Sequence, residues 1–138
     1  MAIDVNELLA PIPGSDPAGS DASFSDQFDR IREARRADDP NLPQAEWQTE
    51  LKVADWREAQ SLSEDILLRT SKDLQAAVWL AEAAISRDGL EGARDSFALL
   101  AGLLGELQAR HDLDTAQVDD VVMGIVSPIG EQGSVLPK

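Results

Sequence analysis

The densest polar chemistry in the chain surrounds one proline-bounded loop. Arg30, Arg32, Arg35 and Arg36 fall within seven positions of a helical stretch that stops at Asp38-Asp39-Pro40, passes Leu42-Pro43 and reaches Trp47. Guanidinium groups bind carboxylates through paired N–H donors, so arginines facing aspartates across a helix end can lock a loop internally or dock on an acidic protein. A plain solvated helix face is the bland alternative. Trp47 beside a polar loop is either a lid on the core or an exposed contact residue. The candidate set for partner binding or loop ordering is therefore Arg32, Arg35, Arg36, Asp38, Asp39 and Trp47. Nothing beside it supplies a nucleophile with its base, a metal-ligand set or a phosphate cradle.

Three other chemistries fail on their own residues. Gly14 and Gly19 have the glycine spacing of a phosphate-binding loop, but Ser20 and Asp21 stand where lysine and Ser/Thr are required, which leaves a structural turn. Asp112, Asp114, Asp119 and Asp120 cluster oxygens, yet a calcium loop needs glycine at its sixth position and a carboxylate at its twelfth, where Gln117 and Met123 lie. His111 is the lone histidine and, beside Arg110, reads as a cation complementing a helix C-terminus. No catalytic residue, metal or cofactor is expected.

These residues must be positioned by a small helical body. At 138 residues the chain suits one core, and the formal charge of −14 opposes nucleic acid and anionic lipid. No cysteine is present, which removes disulfides and thiolate metal sites. The N-terminus lacks a basic leader, and the longest apolar run, Phe97 to Gly105, is too short for a membrane span, so a cytoplasmic location is expected. Ala, Leu, Glu, Asp, Arg and Gln dominate while Tyr is missing, which biases the chain toward helix.

Asp4 caps a short turn through Leu9, and the segment Pro11 to Ser20 forms an ordered Pro/Gly-rich loop pinned by Ile12. Phe24, Phe28 and Ile31 mark a helix from about Ser23 to about Ala37, ended by Pro40, with Leu42 and Trp47 as anchors in the loop beyond. Asp55 with Glu58 starts another, whose stripe is Trp56, Ala59, Leu62, Ile66 and Leu67. Leu74 to Ser86 is apolar on most sides and forms the spine, with Trp79 in the core and Gly89 as a left-handed C-cap over which Leu90 folds back. From Glu91 to Arg110, Ala93, Phe97, Leu100, Leu104 and Leu107 share one side. Asp114 opens a weaker apolar segment, Val118 to Val126, read as helix although its β-branched content fits a strand equally well. The expectation is an all-α, compact antiparallel bundle of about five or six helices, with a domain over 1–126 and an exit segment or linker over 127–138.

Taken in order, Leu8 to Gly14 with Pro17-Ala18-Gly19, the Phe28 to Trp47 segment, Ala54-Asp55-Trp56 and Ser71 to Ala83 resemble the ImpA-type N-terminal domain that opens the TssA proteins of bacterial type VI secretion systems. The similarity runs from about Val5 to Leu107 and departs afterwards, where the family commonly ends in aromatic residues. The resemblance implies a cytoplasmic, non-enzymatic assembly factor that binds baseplate, sheath or tube components. It also implies oligomerisation of full-length members through later helical regions, which makes this chain an N-terminal fragment or a short member. The rival readings are a regulatory helical adaptor unrelated to secretion and a small enzyme using carboxylates and His111.

Overall fold

The computed structural model describes residues 3–42, 50–112 and 114–117. The chain divides into two compact units, residues 1–106 and 107–138. The first holds α1 (Val5–Leu9), α2 (Asp26–Arg35), α3 (Trp56–Arg69), α4 (Leu74–Asp88) and most of α5 (Leu90–His111). The second holds the end of α5 and one 3-10 turn, Thr115–Gln117. Among the described residues there is no β-strand, only an isolated bridge between Gly19 and Ser71. The fold is all-α.

Local chemistry sets where the first four helices begin. Asp4, Ser25, Asp55 and Asp73 each turn a side-chain oxygen onto the backbone N–H three residues on, satisfying a donor that has no partner within the helix. Helix α2 starts at Asp26, later than its apolar spacing suggests, because Ser25 takes the cap. Phe24 consequently stays outside the helix and almost fully exposed, while Phe28 and Ile31 are buried. At the other end of α4, Gly89 adopts φ +60°, where its N–H reaches the Ile85 carbonyl.

Helices α2, α3 and α4 run antiparallel in sequence. Gln27 at the start of α2 donates to Asp65 late in α3 (2.7 Å), while the Asp55 N–H before α3 donates to the Ala34 carbonyl at the end of α2 (2.7 Å). Four residues, Thr70 to Asp73, turn α3 into α4. Arg87 then returns to Gln60 at the start of α3 (2.5 Å). Ile31, Ile66, Leu67, Leu80 and Leu99 lose all solvent contact in the shared core, and the Phe28 ring meets Trp79 edge-on at 4.9 Å. Such edge-to-face packing adds about 0.5–1.5 kcal/mol to the area effect.

The N-terminal loop is tied to the α3–α4 corner. Ile12 is buried, its N–H donates to the Pro17 carbonyl, and Ser20 N–H and Lys72 N–H exchange bonds with Thr70 and Ala18 carbonyls at 2.8 Å each. Gly19 sits at φ +82° so close to Thr70 that a Cβ there would lie 2.1 Å from its carbonyl oxygen.

Helix α5 buries the face adjacent to the one its large apolar residues suggest, and of that expected stripe Leu100 still packs against the core. The buried positions are Gly92, Asp95, Ser96, Leu99 and Leu103, whereas Phe97, Leu104 and Leu107 are exposed. The cause is the glycine line. A Cβ at Gly92 would lie 2.2 Å from the Ala84 carbonyl of α4, and one at Gly102 would lie 2.6 Å from Leu9, so the small face makes the closest approach. Leu90 does not fold back on α4; it is the first residue of α5 and nearly free of contact. Leu42 is likewise exposed, not an anchor. Trp47 and the Val118 to Val126 segment lie outside the described residues.

Candidate functional site

The end of α2 leaves backbone carbonyls without helical partners, and the returning chain supplies them. Lys52 Nζ donates to the carbonyls of Glu33 (2.6 Å) and Arg36 (3.0 Å). Its backbone forms a reciprocal pair with Asp38: Asp38 N–H donates to the Lys52 carbonyl (2.9 Å), and Lys52 N–H donates to Asp38 Oδ2 (2.8 Å). The other oxygen of Asp38 accepts from Arg36 Nη1 (2.8 Å), whose remaining nitrogens reach the Glu33 carboxylate at 3.1 Å. Hydrogen bonding from Arg36 holds the Glu33 carboxyl below its usual value and raises Arg36 in return. The two neighbouring aspartates divide the work. Among the described residues Asp39 bonds locally, accepting from Asn41 N–H at 2.8 Å to shape the turn.

One turn earlier the arginines face the α4 surface. Arg35 donates through Nε to the carboxylate of Glu82, and its guanidinium lies 5.3 Å from the centre of the Trp79 ring. Arg32 approaches the same ring at 5.8 Å while donating to Asp29 on its own helix (2.8 Å). Arg30 reaches across to Glu58 of α3 (2.7 Å). The Arg35 side chain is mostly covered, at 16% exposure, whereas Arg32 and Arg36 keep half or more of theirs in solvent.

The structure thus brings Arg36 and Asp38 into one collar and sends Arg35 into a separate ion pair with α4. Asp39 belongs to the adjoining turn, and Trp47 is outside the described residues. Three partners were not named from sequence. Lys52 and Glu33 carry no distinguishing pattern. Glu82 does, as the lone charge in the otherwise uncharged run from Leu74 to Ser86, a mark that a partner must meet it.

Of the remaining sequence candidates, Asp119 and Asp120 lie outside the described residues. Asp114 accepts from Ala116 N–H (3.0 Å) and starts the 3-10 turn. Gly19 makes the bridge to Ser71. His111 is the last residue of α5. Among the described residues no group of three or more His, Asp or Glu side chains is placed to hold a metal, and no helix is long and apolar enough to cross a membrane.

Comparison with known proteins gives a consistent picture. The type VI secretion system component TssA1 of Pseudomonas aeruginosa is 30% identical over 110 residues, which cover 75% of this chain and 30% of that protein. The solved N-terminal domain, including the conserved ImpA_N region, of the TssA component of the type VI secretion system from Burkholderia cenocepacia matches with a TM-score of 0.63 and 39% identity. That match covers 77% of this chain and 37% of the solved one. The chain therefore spans well under half the length of these relatives. Residues 9–110 match the family described as ImpA, N-terminal, type VI secretion system, and the chain belongs to that family.

Proposed function

We propose that this chain acts as a non-enzymatic protein-interaction domain of a type VI secretion assembly factor, working in the cytoplasm on baseplate, sheath or tube components. The family match over residues 9–110 carries this reading, since both similar proteins are named as components of that system. Within the domain, Arg36, Asp38 and Lys52 order the loop after α2, and Arg35 fixes α2 to α4. The bonds from Lys52 to two helix-end carbonyls and from Arg35 to Glu82 support that division. Arg32, half in solvent over an aromatic pair, is the member placed to meet an acidic partner.

The test is co-purification of the chain from cells expressing a complete secretion apparatus, with wild type compared against Arg32→Glu and against Arg35→Glu/Arg36→Glu. Capture of a sheath, tube or baseplate component by wild type supports the reading. Loss of capture in Arg32→Glu at unchanged melting temperature assigns docking to that residue, and a drop in melting temperature in the double variant assigns loop ordering to the pair. Absence of any secretion component in the wild-type eluate rejects the function.

A further inference from the structure

The chain enters α2 through a turn fixed on both sides. Ser23 donates to the Asp21 carboxylate through its N–H (2.9 Å) and its hydroxyl (2.6 Å). Ser25, which caps α2, donates to the Ala22 carbonyl through its N–H (3.0 Å) and its hydroxyl (2.7 Å). Ala22 is buried, and Ser20 is held by the Thr70 carbonyl, so the turn is fastened to the body. Phe24, between the two serines, is 97% exposed, the highest value of any large apolar side chain among the described residues. An apolar residue directly before a helix cap ordinarily folds onto the fourth residue of the helix. Here that residue is Asp29, engaged by Arg32 at 2.8 Å, and α2 offers the ring no cover. A lone exposed side chain on a loose segment needs no explanation. A ring carried by an ordered turn differs, because its backbone loses little freedom on entering a pocket.

The charge beside the ring selects the occupant, and chain connectivity alone places it there. The first 29 residues hold six aspartates or glutamates and no lysine, arginine or histidine. Asp21 and Asp26 stand three and two positions from Phe24, so their backbones lie within about 11 Å of it. Among the described residues neither is paired with a cation: the Asp21 carboxylate bonds Ser23, and Asp26 is exposed at the first position of α2. A second copy would bring the same charge and the same ring, and an anionic lipid surface would be repelled. A protein surface whose apolar pocket is bordered by Lys or Arg gains burial of the ring and attraction at the rim together.

We infer that Phe24 is an anchor by which this domain seats in an apolar pocket of a partner protein rimmed by lysine or arginine, with Asp21 and Asp26 meeting the rim. The inference deepens the interaction-domain reading, on which it rests, by giving it a surface at the opposite end of α2 from the collar. The turn presets the ring, and the two carboxylates set which pockets accept it.

The probe is the full 138-residue chain with p-benzoylphenylalanine in place of Phe24, expressed in cells that carry a complete secretion apparatus and irradiated, the crosslinked peptide being identified by mass spectrometry. The expected product is a covalent link to a sheath, tube or baseplate component at an apolar patch bordered by Lys or Arg. With that component purified, Phe24→Asp should weaken binding at least about tenfold. The double variant Asp21→Asn/Asp26→Asn should weaken it about threefold and make the loss of affinity with added salt shallower. Asparagine keeps the oxygen that Ser23 bonds, and Phe24 has almost no contact to lose, so circular dichroism melting of each variant should match wild type. No crosslink from this position, a crosslink onto a second copy of the chain or onto an acidic or wholly polar surface, or undiminished binding by a folded Phe24→Asp chain overturns the inference. Secretion components that co-purify equally with wild type and Phe24→Asp reject this surface alone; a wild-type eluate without any of them rejects the assembly reading and this inference with it.

Discussion

The Lys72 ammonium donates to the carbonyl oxygen of Leu8, 64 positions away in sequence, at 2.6 Å, and at 2.7 Å to that of Leu67. These carbonyls belong to the last turns of α1 and α3, so one cation meets the negative ends of two helices. Partial burial lowers the Lys72 pKa by desolvation, and no carboxylate is hydrogen-bonded to its ammonium among the described contacts.

Replacing Lys72 by methionine keeps the apolar stem and removes the donors. Two helix-end carbonyls then lose their partner, and the expected loss is about 1–3 kcal/mol in urea unfolding. Amide exchange at Gly19 and Ser20 should accelerate more than exchange in α3, because the loop is held at this corner. A variant as stable as wild type, with unchanged loop exchange, would show that the clamp is ornamental.

Two glycines should respond to alanine with opposite signs. At Gly19, positive φ and the Thr70 carbonyl 2.1 Å from the new Cβ make Gly19→Ala destabilising by more than about 1 kcal/mol. At Gly105, inside α5 with open space around it, Gly105→Ala should stabilise by about 0.5–1 kcal/mol. Paired thermal melts of the two variants decide the matter.

Arg35 and Glu82 should behave as a coupled pair. A double-mutant cycle with Arg35→Met and Glu82→Gln is expected to return a coupling of roughly 0.5–2 kcal/mol, since Arg35 is mostly buried and also rests on Trp79. The same cycle on Arg32 and Asp29 should give about 0.5 kcal/mol or less, because both are exposed on one helix. Equal couplings at the two sites would contradict the separation of roles.

The Glu33 carboxyl gives the acid limb a recognisable contribution. Its pKa lies lower in the folded chain than the usual 4.5, chiefly through the hydrogen bond from Arg36, so the unfolded chain binds the proton first. The stabilisation is complete above that usual value and disappears as pH falls through the lowered one. Glu33→Gln should lower the neutral plateau slightly and converge on wild type at the acid end, flattening the stability profile across this window, as followed by urea unfolding at successive pH values.

The sequence by itself determined the helical class, the capped starts of α1 and α3, the burial of Phe28, Ile31 and Trp79, and the family. Those features depend on side chains within a few positions of one another, where spacing and capping chemistry act directly. Tertiary structure decided which side of α5 faces inward. Periodicity measures how apolar a stripe is, whereas packing answers to how closely two backbones can approach, and Gly92 and Gly102 win that contest over Phe97 and Leu104. It also decided the partners of the arginines. Lys52 lies 16 residues beyond Arg36, and Glu82 lies 47 beyond Arg35, so neither pairing exists until the chain has returned and the loop entropy has been overcome by the core beneath it.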